Sequence, residues 1–492
     1  MSLIHVNRLT FAYEGSGDNI FENASFQLDT DWRLGFVGRN GRGKTTFLKL
    51  LMEEYPYEGS ISASVAFTYF PYAVPDKARD TRAVIDGVLP NCEAWKIMRE
   101  LELLGVSPDV LERPFGTLSN GEQTKVLLAV LFLRENSFLL IDEPTNHLDA
   151  AGRMSVARYL AGKRGFILVS HDRAFLDGCV DHILSINKAN IEVQKGNFSS
   201  WWRNKTMQDQ FEQAENERLT RDVRRLESAA RRASDWSDKT ESAKKGVRNA
   251  GLRPDRGYIG HKSAKMMRRA KSIENRRTSA VEEKAALLKN IESAETLKLH
   301  PLVYRGGTLV RLENVSVFYG DKTVCSGVNF AVGPGERIAL SGRNGSGKSS
   351  VLKLVCGGQV PHCGTLYRGR GLVVSYVAQD AEHLSGRLMD FAATAGVDAT
   401  LFFTILRKLG FSRTQFEKDM GAFSAGQRKK TLLAASLCQQ AHLYVWDEPL
   451  NYIDVISRIQ LEELIAAYAP TLLFVEHDAA FSNAVATKRI AL

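Results

Sequence analysis

Two glycine-rich segments of the chain have the residue types and spacing of a phosphate-binding loop. GRNGRGKTT begins at Gly38 and contains Lys44 and Thr45, and GRNGSGKSS begins at Gly342. In such a loop the glycines let successive backbone amides close round phosphate oxygens at a helix N-terminus, the lysine reaches the β and γ phosphates, and the next hydroxyl binds magnesium. The pattern therefore predicts two sites for a nucleoside triphosphate with Mg²⁺. The loop residues expected to bind it are Gly38, Asn40, Gly41, Gly43, Lys44, Thr45 and Thr46 in the first copy, and Gly342, Asn344, Gly345, Gly347, Lys348, Ser349 and Ser350 in the second.

Two acidic pairs would complete the chemistry. The apolar run FLLIDEP ends in Asp142 and Glu143, and LYVWDEP ends in Asp447 and Glu448. Hydrolysis of a triphosphate needs charge neutralisation and an aligned water more than covalent help. We therefore predict that the two aspartates hold magnesium and that the two glutamates polarise the attacking water. An Asp-Glu pair after an apolar run is more often a plain strand end, but here each pair follows a phosphate-binding loop.

The chain contains an internal duplication, because other motifs recur at nearly the same offset as the loops. LSNGEQ, with Ser119, recurs as FSAGQR, with Ser424, and His171 recurs as His477. Each histidine follows an apolar strand (FILVS and LLFVE), from where it could contact the γ phosphate. An isolated histidine would more often be structural. We predict two copies of one α/β module.

The segment between the copies has the net charge of the chain. Residues 201–300 contain 24 Lys and Arg against 15 Asp and Glu, and the whole chain contains 65 and 56. Apolar residues recur at helical spacing, among them Met207 and Phe211 upstream and Val281 and Leu288 downstream, and glycines and Pro254 interrupt the pattern between them. This pattern predicts two long antiparallel helices, each with a narrow apolar face, joined by a basic loop near 239–262. Arms of about 30 residues would hold this loop roughly 45 Å from the modules. A cationic tip suits a polyanion such as RNA, although a solvated spacer is the alternative. The candidate RNA-binding residues are Lys244, Lys245, Arg248, Arg253 and Tyr258.

Composition excludes several classes of protein. The chain is 44% hydrophobic and 25% charged, which is ordinary for a globular protein. Its longest apolar run is far shorter than the roughly 20 residues that span a bilayer. The six cysteines form no CxxC pair, which disfavours a zinc ribbon or an iron–sulfur cluster. The start of the chain lacks the features of a signal peptide, so we expect a cytoplasmic protein with no membrane partner.

These motifs together resemble those of ATP-binding cassette (ABC) proteins. The resemblance implies an α/β fold with two ABC-type P-loop nucleotide-binding domains in tandem, at 1–200 and 301–492, joined by a long antiparallel helical hairpin linker at 201–300. It also implies that the signature Ser and Gly of each domain close over the ATP of the other, in a monomer with an intramolecular cassette dimer. Tyr13 and Tyr319 match the residues that stack on adenine, although a lone tyrosine is as often a core or surface residue. The first composite site would combine Lys44, Thr45, Asp142, Glu143 and His171 with Ser424 and Gly426, and the second Lys348, Ser349, Gln379, Asp447, Glu448 and His477 with Ser119 and Gly121.

The chain departs from the family pattern at the Q-loop of the first domain. YVAQD supplies Gln379 as a magnesium ligand in the second domain, but the matching stretch YFPYA has Tyr72 there. A phenol lacks the amide carbonyl that would ligate magnesium. We therefore expect two working sites with unequal rates.

Two cassettes with a charged helical linker resemble the ABC-F family, whose members bind the ribosome at the tRNA exit site. Within it, the motifs are most similar to those of the Lsa and Vga type resistance proteins. We also expect neither the inserted arm of other members nor a C-terminal extension. The resemblance implies protection against lincosamides, streptogramin A and pleuromutilins, with large-subunit ribosomal RNA and P-site tRNA as partners. A translation factor that rescues stalled ribosomes without resistance and the ATPase of a transporter remain alternatives.

Overall fold

A computed structural model gives the fold. It describes residues 2–14, 19–90, 92–146, 148–186, 191–242, 261, 264–265, 267–269, 271–276, 278–279, 281, 297–320, 322–343 and 345–492. We call residues 1–200 cassette 1 and residues 301–492 cassette 2.

Cassette 1 is built on a six-stranded sheet whose strand order is β5-β6-β7-β3-β8-β9. All of its pairings are parallel except that of β8 with β9. The inner strands are apolar runs buried on both faces, which is the pattern of parallel strands covered by helices. A three-stranded antiparallel sheet, β2-β1-β4, lies beside it. The strands are β1 (Leu3–Phe11), β2 (Phe21–Asp29), β3 (Arg33–Val37), β4 (Glu58–Ser62), β5 (Ala66–Phe70), β6 (Ser137–Asp142), β7 (Phe166–Val169), β8 (His182–Ile186) and β9 (Ile191–Lys195).

Cassette 2 repeats this topology. Its five-stranded parallel sheet has the order β14-β15-β16-β12-β17, and a three-stranded antiparallel sheet has the order β11-β10-β13. The predicted duplication is thus a duplication of the fold. The strands are β10 (Val310–Tyr319), β11 (Lys322–Val332), β12 (Arg337–Ser341), β13 (His362–Arg368), β14 (Val374–Val377), β15 (Leu443–Asp447), β16 (Leu472–Val475) and β17 (Lys488–Ala491).

Helices cover the parallel sheets, and several begin at a functional motif. The cassette 1 helices are α1 (Lys44–Leu51), α2 (Thr81–Val88), α3 (Ala94–Leu103), α4 (Asn120–Phe132), α5 (Ala150–Ala161) and α6 (Arg173–Cys179). A long helix, α7 (Phe198–Ser242), follows. The cassette 2 helices are α8 (Lys348–Val355), α9 (Leu388–Thr394), α10 (Ala399–Lys408), α11 (Ala425–Cys438), α12 (Val455–Tyr468) and α13 (Ala479–Val485). Among the described residues, no helix is both long enough and apolar enough to cross a bilayer.

The linker contains a helix longer than the predicted arm, since α7 has 45 residues. The described positions among 261–281 are helical as well. The apolar face predicted for the first arm is wrong at Met207 and Phe211, which are 54% and 70% exposed, whereas Leu219 is buried. The candidate RNA-binding residues lie outside the described residues: Lys244, Lys245, Arg248, Arg253 and Tyr258.

Contacts divide the chain into two compact units. One contains 1–186, 191–201 and 294–492, so both cassettes belong to it, and the other contains 187–190 and 202–293. The predicted domain boundaries were 200/201 and 300/301.

Candidate functional site

Two cavities lie between the cassettes, and each is lined by residues of both. Site 1 is a cavity of ≈ 480 Å³ and site 2 one of ≈ 780 Å³. Both volumes fall within the roughly 300–1,000 Å³ of small-molecule sites. Site 1 brings together the predicted residues Tyr13, Asn40, Gly41, Gly43, Lys44, Thr45, Thr46, Asp142, Glu143, His171, Ser424 and Gly426. Site 2 brings together Ser119, Gly121, Gly345, Gly347, Lys348, Ser349, Ser350, Gln379, Glu448 and His477.

The two P-loops have the same geometry. Gly43 and Gly347 precede α1 and α8 with φ of 88° and 89°, a left-handed conformation that glycine adopts at little cost. The first amides of each helix then face the cavity without an intrahelical partner, which favours an anion. The Nζ atoms of Lys44 and Lys348 donate to the Gly38 and Gly342 carbonyls at 2.7 and 2.9 Å, and burial lowers the pKa of both lysines.

The two tyrosines predicted to stack on adenine occupy equivalent positions in the two cassettes. Tyr319 is 49% exposed and its hydroxyl lies 3.2 Å from Ser350 Oγ, while the hydroxyl of Tyr13 lies 2.9 Å from Thr46 Oγ1. These tyrosines therefore contact the second residue after each P-loop lysine. Asn344 lies outside the described residues.

The predicted metal carboxylates fit a magnesium ion. Asp142 Oδ2 accepts hydrogen bonds from Thr45 Oγ1 at 2.8 Å and from the Tyr69 hydroxyl at 3.0 Å. Asp447 is fully buried, and among the described residues its carboxylate has no hydrogen-bond donor besides the nearby Ser349 hydroxyl. Burial, together with the neighbouring Glu448 charge, raises the pKa of Asp447. A divalent cation would satisfy these oxygens, and when bound it neutralises phosphate charge.

The two glutamates share a backbone conformation but not an environment. Glu143 and Glu448 have φ of 50° and 45°, which is unusual for residues with a Cβ and typical of functional sites. Burial beside Asp142 raises the pKa of Glu143 to about 8. Burial would raise the pKa of Glu448 too, but His477, Gln379 and a 2.6 Å hydrogen bond from Asn451 lower it to about 2. Only Glu448 is therefore ready to accept a proton at neutral pH.

We expect the two sites to differ in pH dependence for this reason. Only an ionised carboxylate accepts a proton from water, so turnover at site 1 should rise by close to tenfold between about pH 7 and about pH 9 as Glu143 loses its proton. Turnover at site 2 should stay flat, since Glu448 is ionised throughout. The measurement is ATP hydrolysis at saturating ATP by the Glu448→Gln chain, which reports site 1, and the Glu143→Gln chain, which reports site 2. Parallel profiles would contradict the assignment.

The catalytic histidine candidates lie next to the glutamates. His171 Nε2 is 3.4 Å from Glu143 Oε1, and His477 Nε2 is 3.6 Å from Glu448 Oε1. Burial, with help from the Lys44 charge, holds the pKa of His171 well below its usual range, so its imidazole is neutral. A neutral ring can donate one hydrogen bond to a phosphate oxygen without adding a buried charge.

The Q-loop difference is visible in the sheet register. Phe70 pairs with Ile141, and Val377 pairs with Trp446, which places Tyr72 at the position of Gln379. Gln379 lines site 2, whereas Tyr72 is 37% exposed and is absent from the lining of site 1. In site 1 the carboxylate is contacted by Tyr69 instead, a residue that the motif search missed. Its recurrence as Tyr376 at the equivalent position of the second copy could have revealed it.

The cassettes contact each other beside Gly426. A Cβ there would lie 2.5 Å from the Tyr452 carbonyl oxygen and 3.0 Å from Asn40 Nδ2, which hydrogen-bond each other at 2.7 Å. The P-loop of cassette 1 therefore contacts the loop after β15 of cassette 2. Only a glycine at position 426 leaves room for this contact. The lining residues of site 1 outside the predicted set are Ile20, Val169, Gly410, Phe411, Gln415, Ala425, Gln427, Lys430 and Tyr452.

A second contact between the cassettes has no counterpart. The guanidinium of Arg173, at the start of α6, forms a bidentate pair with the carboxylate of Glu462 on α12. The duplication aligns these residues with Ala479 and Ala157. The pair therefore exists on the site 1 side alone.

Comparisons with known proteins agree with this geometry. The family model described as "ABC transporter" matches residues 21–146 and 325–451. The ribosome protection protein VmlR of Bacillus subtilis is 27% identical over 98% of this chain and 85% of its own length. The probable ATP-binding protein YheS of Escherichia coli is 28% identical over 93% of this chain and 74% of its own.

A solved structure shares the fold across nearly the whole chain. It is that of the archaeal ribosome recycling factor aABCE1 in complex with a ribosomal stalk protein, with a TM-score of 0.62 and 19% identity over 98% of this chain and 87% of that one. At this identity the match concerns the fold alone.

Proposed function

Because the chain belongs to the ATP-binding cassette family, and to its ABC-F branch of tandem cassettes, we propose that its two ATP sites drive a cycle of binding to and release from the ribosome. The chain is an ATP hydrolase. Its P-loops bind the triphosphate, and the two cassettes meet over it through Ser424 and Gly426 at site 1 and Ser119 and Gly121 at site 2.

We propose the following roles within each site, which the contacts described above support. Lys44 and Lys348 hold the β and γ phosphates, and Thr45, Asp142, Ser349, Gln379 and Asp447 are the proposed magnesium ligands. Glu448 orients and deprotonates the attacking water at site 2, and Glu143 does so at site 1 once it has lost its own proton. Hydrolysis removes the phosphate that joins P-loop and signature residues, so the cassettes separate.

The ribosome as partner is supported by similarity that extends over the whole of the chain. A relative with the printed function of ribosome protection is similar over 98% of this chain, which includes the linker as well as the cassettes. The linker also carries the excess of positive charge, 24 Lys and Arg against 15 Asp and Glu in residues 201–300. A basic segment on a neutral motor is the charge distribution expected of an RNA-binding protein. The proposed contacts to ribosomal RNA or P-site tRNA are Lys244, Lys245, Arg248, Arg253 and Tyr258. Because ribosomes are the proposed partner, the cytoplasm is the proposed location.

A co-sedimentation experiment tests the proposal. The Glu143→Gln, Glu448→Gln chain should pellet with ribosomes in ATP and stay in the supernatant without nucleotide, because only the closed form binds. Replacing Lys244, Lys245, Arg248 and Arg253 with Gln should weaken pelleting and make it less dependent on salt concentration. Each lost phosphate contact lowers the magnitude of the slope of log K against log salt concentration by about 1. Removal of the same number of charges from cassette surfaces is the control. A double glutamine variant that never pellets at low ionic strength would refute ribosome binding.

We further propose protection against drugs of the peptidyl-transferase centre, namely lincosamides, streptogramin A and pleuromutilins, by displacement of the drug through the linker. Expression in a drug-sensitive host should permit growth on these drugs, and shortening of residues 239–262 should abolish it. Ribosome pelleting without growth would favour a factor that rescues stalled ribosomes. Recovery in membranes, with no ribosome pelleting, would favour a transporter ATPase.

A further inference from the structure

Lys429 is a buried cation that the predicted chemistry does not use. It lies on α11, five residues after the signature Ser424, and is 2% exposed. Its Nζ donates to three backbone carbonyls, those of Ala378 at 2.7 Å, Asp447 at 3.0 Å and Gln379 at 3.2 Å. No described carboxylate lies within ion-pair distance of it. Lys, when fully buried, normally pairs with an acid, so three carbonyls as sole partners need an explanation.

The three carbonyls lie at the ends of the strands beside site 2, and Gln379 lines that site. Ala378 and Gln379 form the Q-loop after β14, and Asp447 ends β15 with the predicted metal carboxylate. The other end of the lysine is anchored in α11, whose N-terminus presents Ser424 and Gly426 to site 1. The Lys429 side chain therefore links the backbone of the Q-loop and of Asp447, beside site 2, to α11, whose N-terminus lines site 1.

Cassette 1 lacks this connection. The duplication places Thr124 at the position of Lys429. A threonine side chain ends at its γ atoms, several bonds short of the position that Nζ occupies. Cassette 1 therefore has the same helix and the same loop without the cation that joins them.

We propose that Lys429 is a positioning residue that couples the two ATP sites through cassette 2, so that ATP bound at site 2 sets the pose of Ser424 and Gly426 at site 1. A shift of the Q-loop or of the Asp447 backbone moves the ammonium, because its three hydrogen bonds converge on one atom, and α11 moves with it. Coupling between binding sites is reciprocal, so ATP at site 1 favours ATP at site 2 to the same extent. The inference rests on the two ATP sites proposed above.

Equilibrium binding of ATP to the full chain measures this coupling. In the Glu143→Gln, Glu448→Gln parent, which does not consume ATP, the Hill coefficient should approach about 2, the number of sites. Lys429→Met should reduce it to about 1 while two ATP still bind per chain. Thr124→Val is the matched control at the corresponding position of cassette 1 and should leave the Hill coefficient at the parent value. A structural role alone would lower the unfolding temperature without changing cooperativity.

A second variant covers the case in which methionine at this position prevents folding. Lys429→Gln retains an amide donor for one of the three carbonyls and should give a Hill coefficient between those of the parent and the methionine variant. A coefficient equal to the parent's in either variant would overturn the role of Lys429. A parent that binds two ATP without cooperativity would also overturn it while leaving both sites in place, whereas binding of fewer than two ATP would refute the sites themselves.

Discussion

Replacement of Glu448 by glutamine is expected to lower steady-state ATP hydrolysis at neutral pH by at least about tenfold, because turnover then depends on site 1, where Glu143 is mostly protonated. Glu143→Gln should lower it by no more than about threefold, because site 2 carries most of the turnover. The physical reason is the difference between the two sites. At site 2, Glu448 is ionised and lies beside Gln379. At site 1, Glu143 is mostly protonated at neutral pH, and Tyr72, at the position of Gln379, does not line the cavity. Phosphate release by each purified variant is the measurement.

The exposed Glu313 provides the control for this comparison. Its side chain is 57% exposed and pairs at 3.5 Å with Arg311, so Glu313→Gln makes the same chemical change away from either site and should leave the rate unchanged. Equal losses on replacing Glu143 and Glu448 would contradict unequal sites.

Arg458→Ala is expected to lower the free energy of unfolding of cassette 2 by about 3 to 5 kcal/mol. The guanidinium is buried and donates to Asp478 Oδ2 at 2.8 Å and to the carbonyls of Ile453 and Leu450, both at 2.9 Å. Its removal leaves the fully buried Asp478 without its ion-pair partner and the Ile453 carbonyl without this donor, whereas the Leu450 carbonyl still accepts from the Ile453 amide. The midpoint of urea unfolding, followed by a signal from cassette 2, reports the loss.

Arg311→Ala is the matched control for this arginine. Its pair with Glu313 is more than half exposed on both sides, and its removal should change the free energy of unfolding by less than about 0.5 kcal/mol. A fall in the midpoint no larger than that of Arg311→Ala would show that the buried network tolerates the loss of its cation.

The fold and most of both sites could be predicted from the sequence because their motifs are short, local and present twice. A P-loop, an apolar strand with an acidic end and a capped signature helix each depend on neighbours in the sequence, and α4 and α11 do begin with the capping boxes of Ser119 and Ser424. The linker helix was predicted for a similar reason, although its buried face was not. On a long exposed helix, spacing alone does not say which apolar residue is covered, and Leu219 rather than Phe211 is buried.

What could not be predicted depends on residues far apart in the sequence. Tyr69 meets Asp142, and Lys429 meets the Q-loop carbonyls, only because parallel strands bring their ends together. The same holds for the ionisation of Glu143 and Glu448, which have identical motifs and opposite pKa shifts. Burial and hydrogen-bond partners decide those shifts, and neither is visible in a motif.

The one-sided pair of Arg173 and Glu462 restricts which halves can associate. Two first halves facing each other would set Arg173 against Ala157, and two second halves would set Ala479 against Glu462, so a desolvated charge would remain unmatched in either homotypic assembly. Only a first half against a second half satisfies both groups. During synthesis, when several nascent chains share one messenger, this discrimination would disfavour the pairing of two first halves from neighbouring chains.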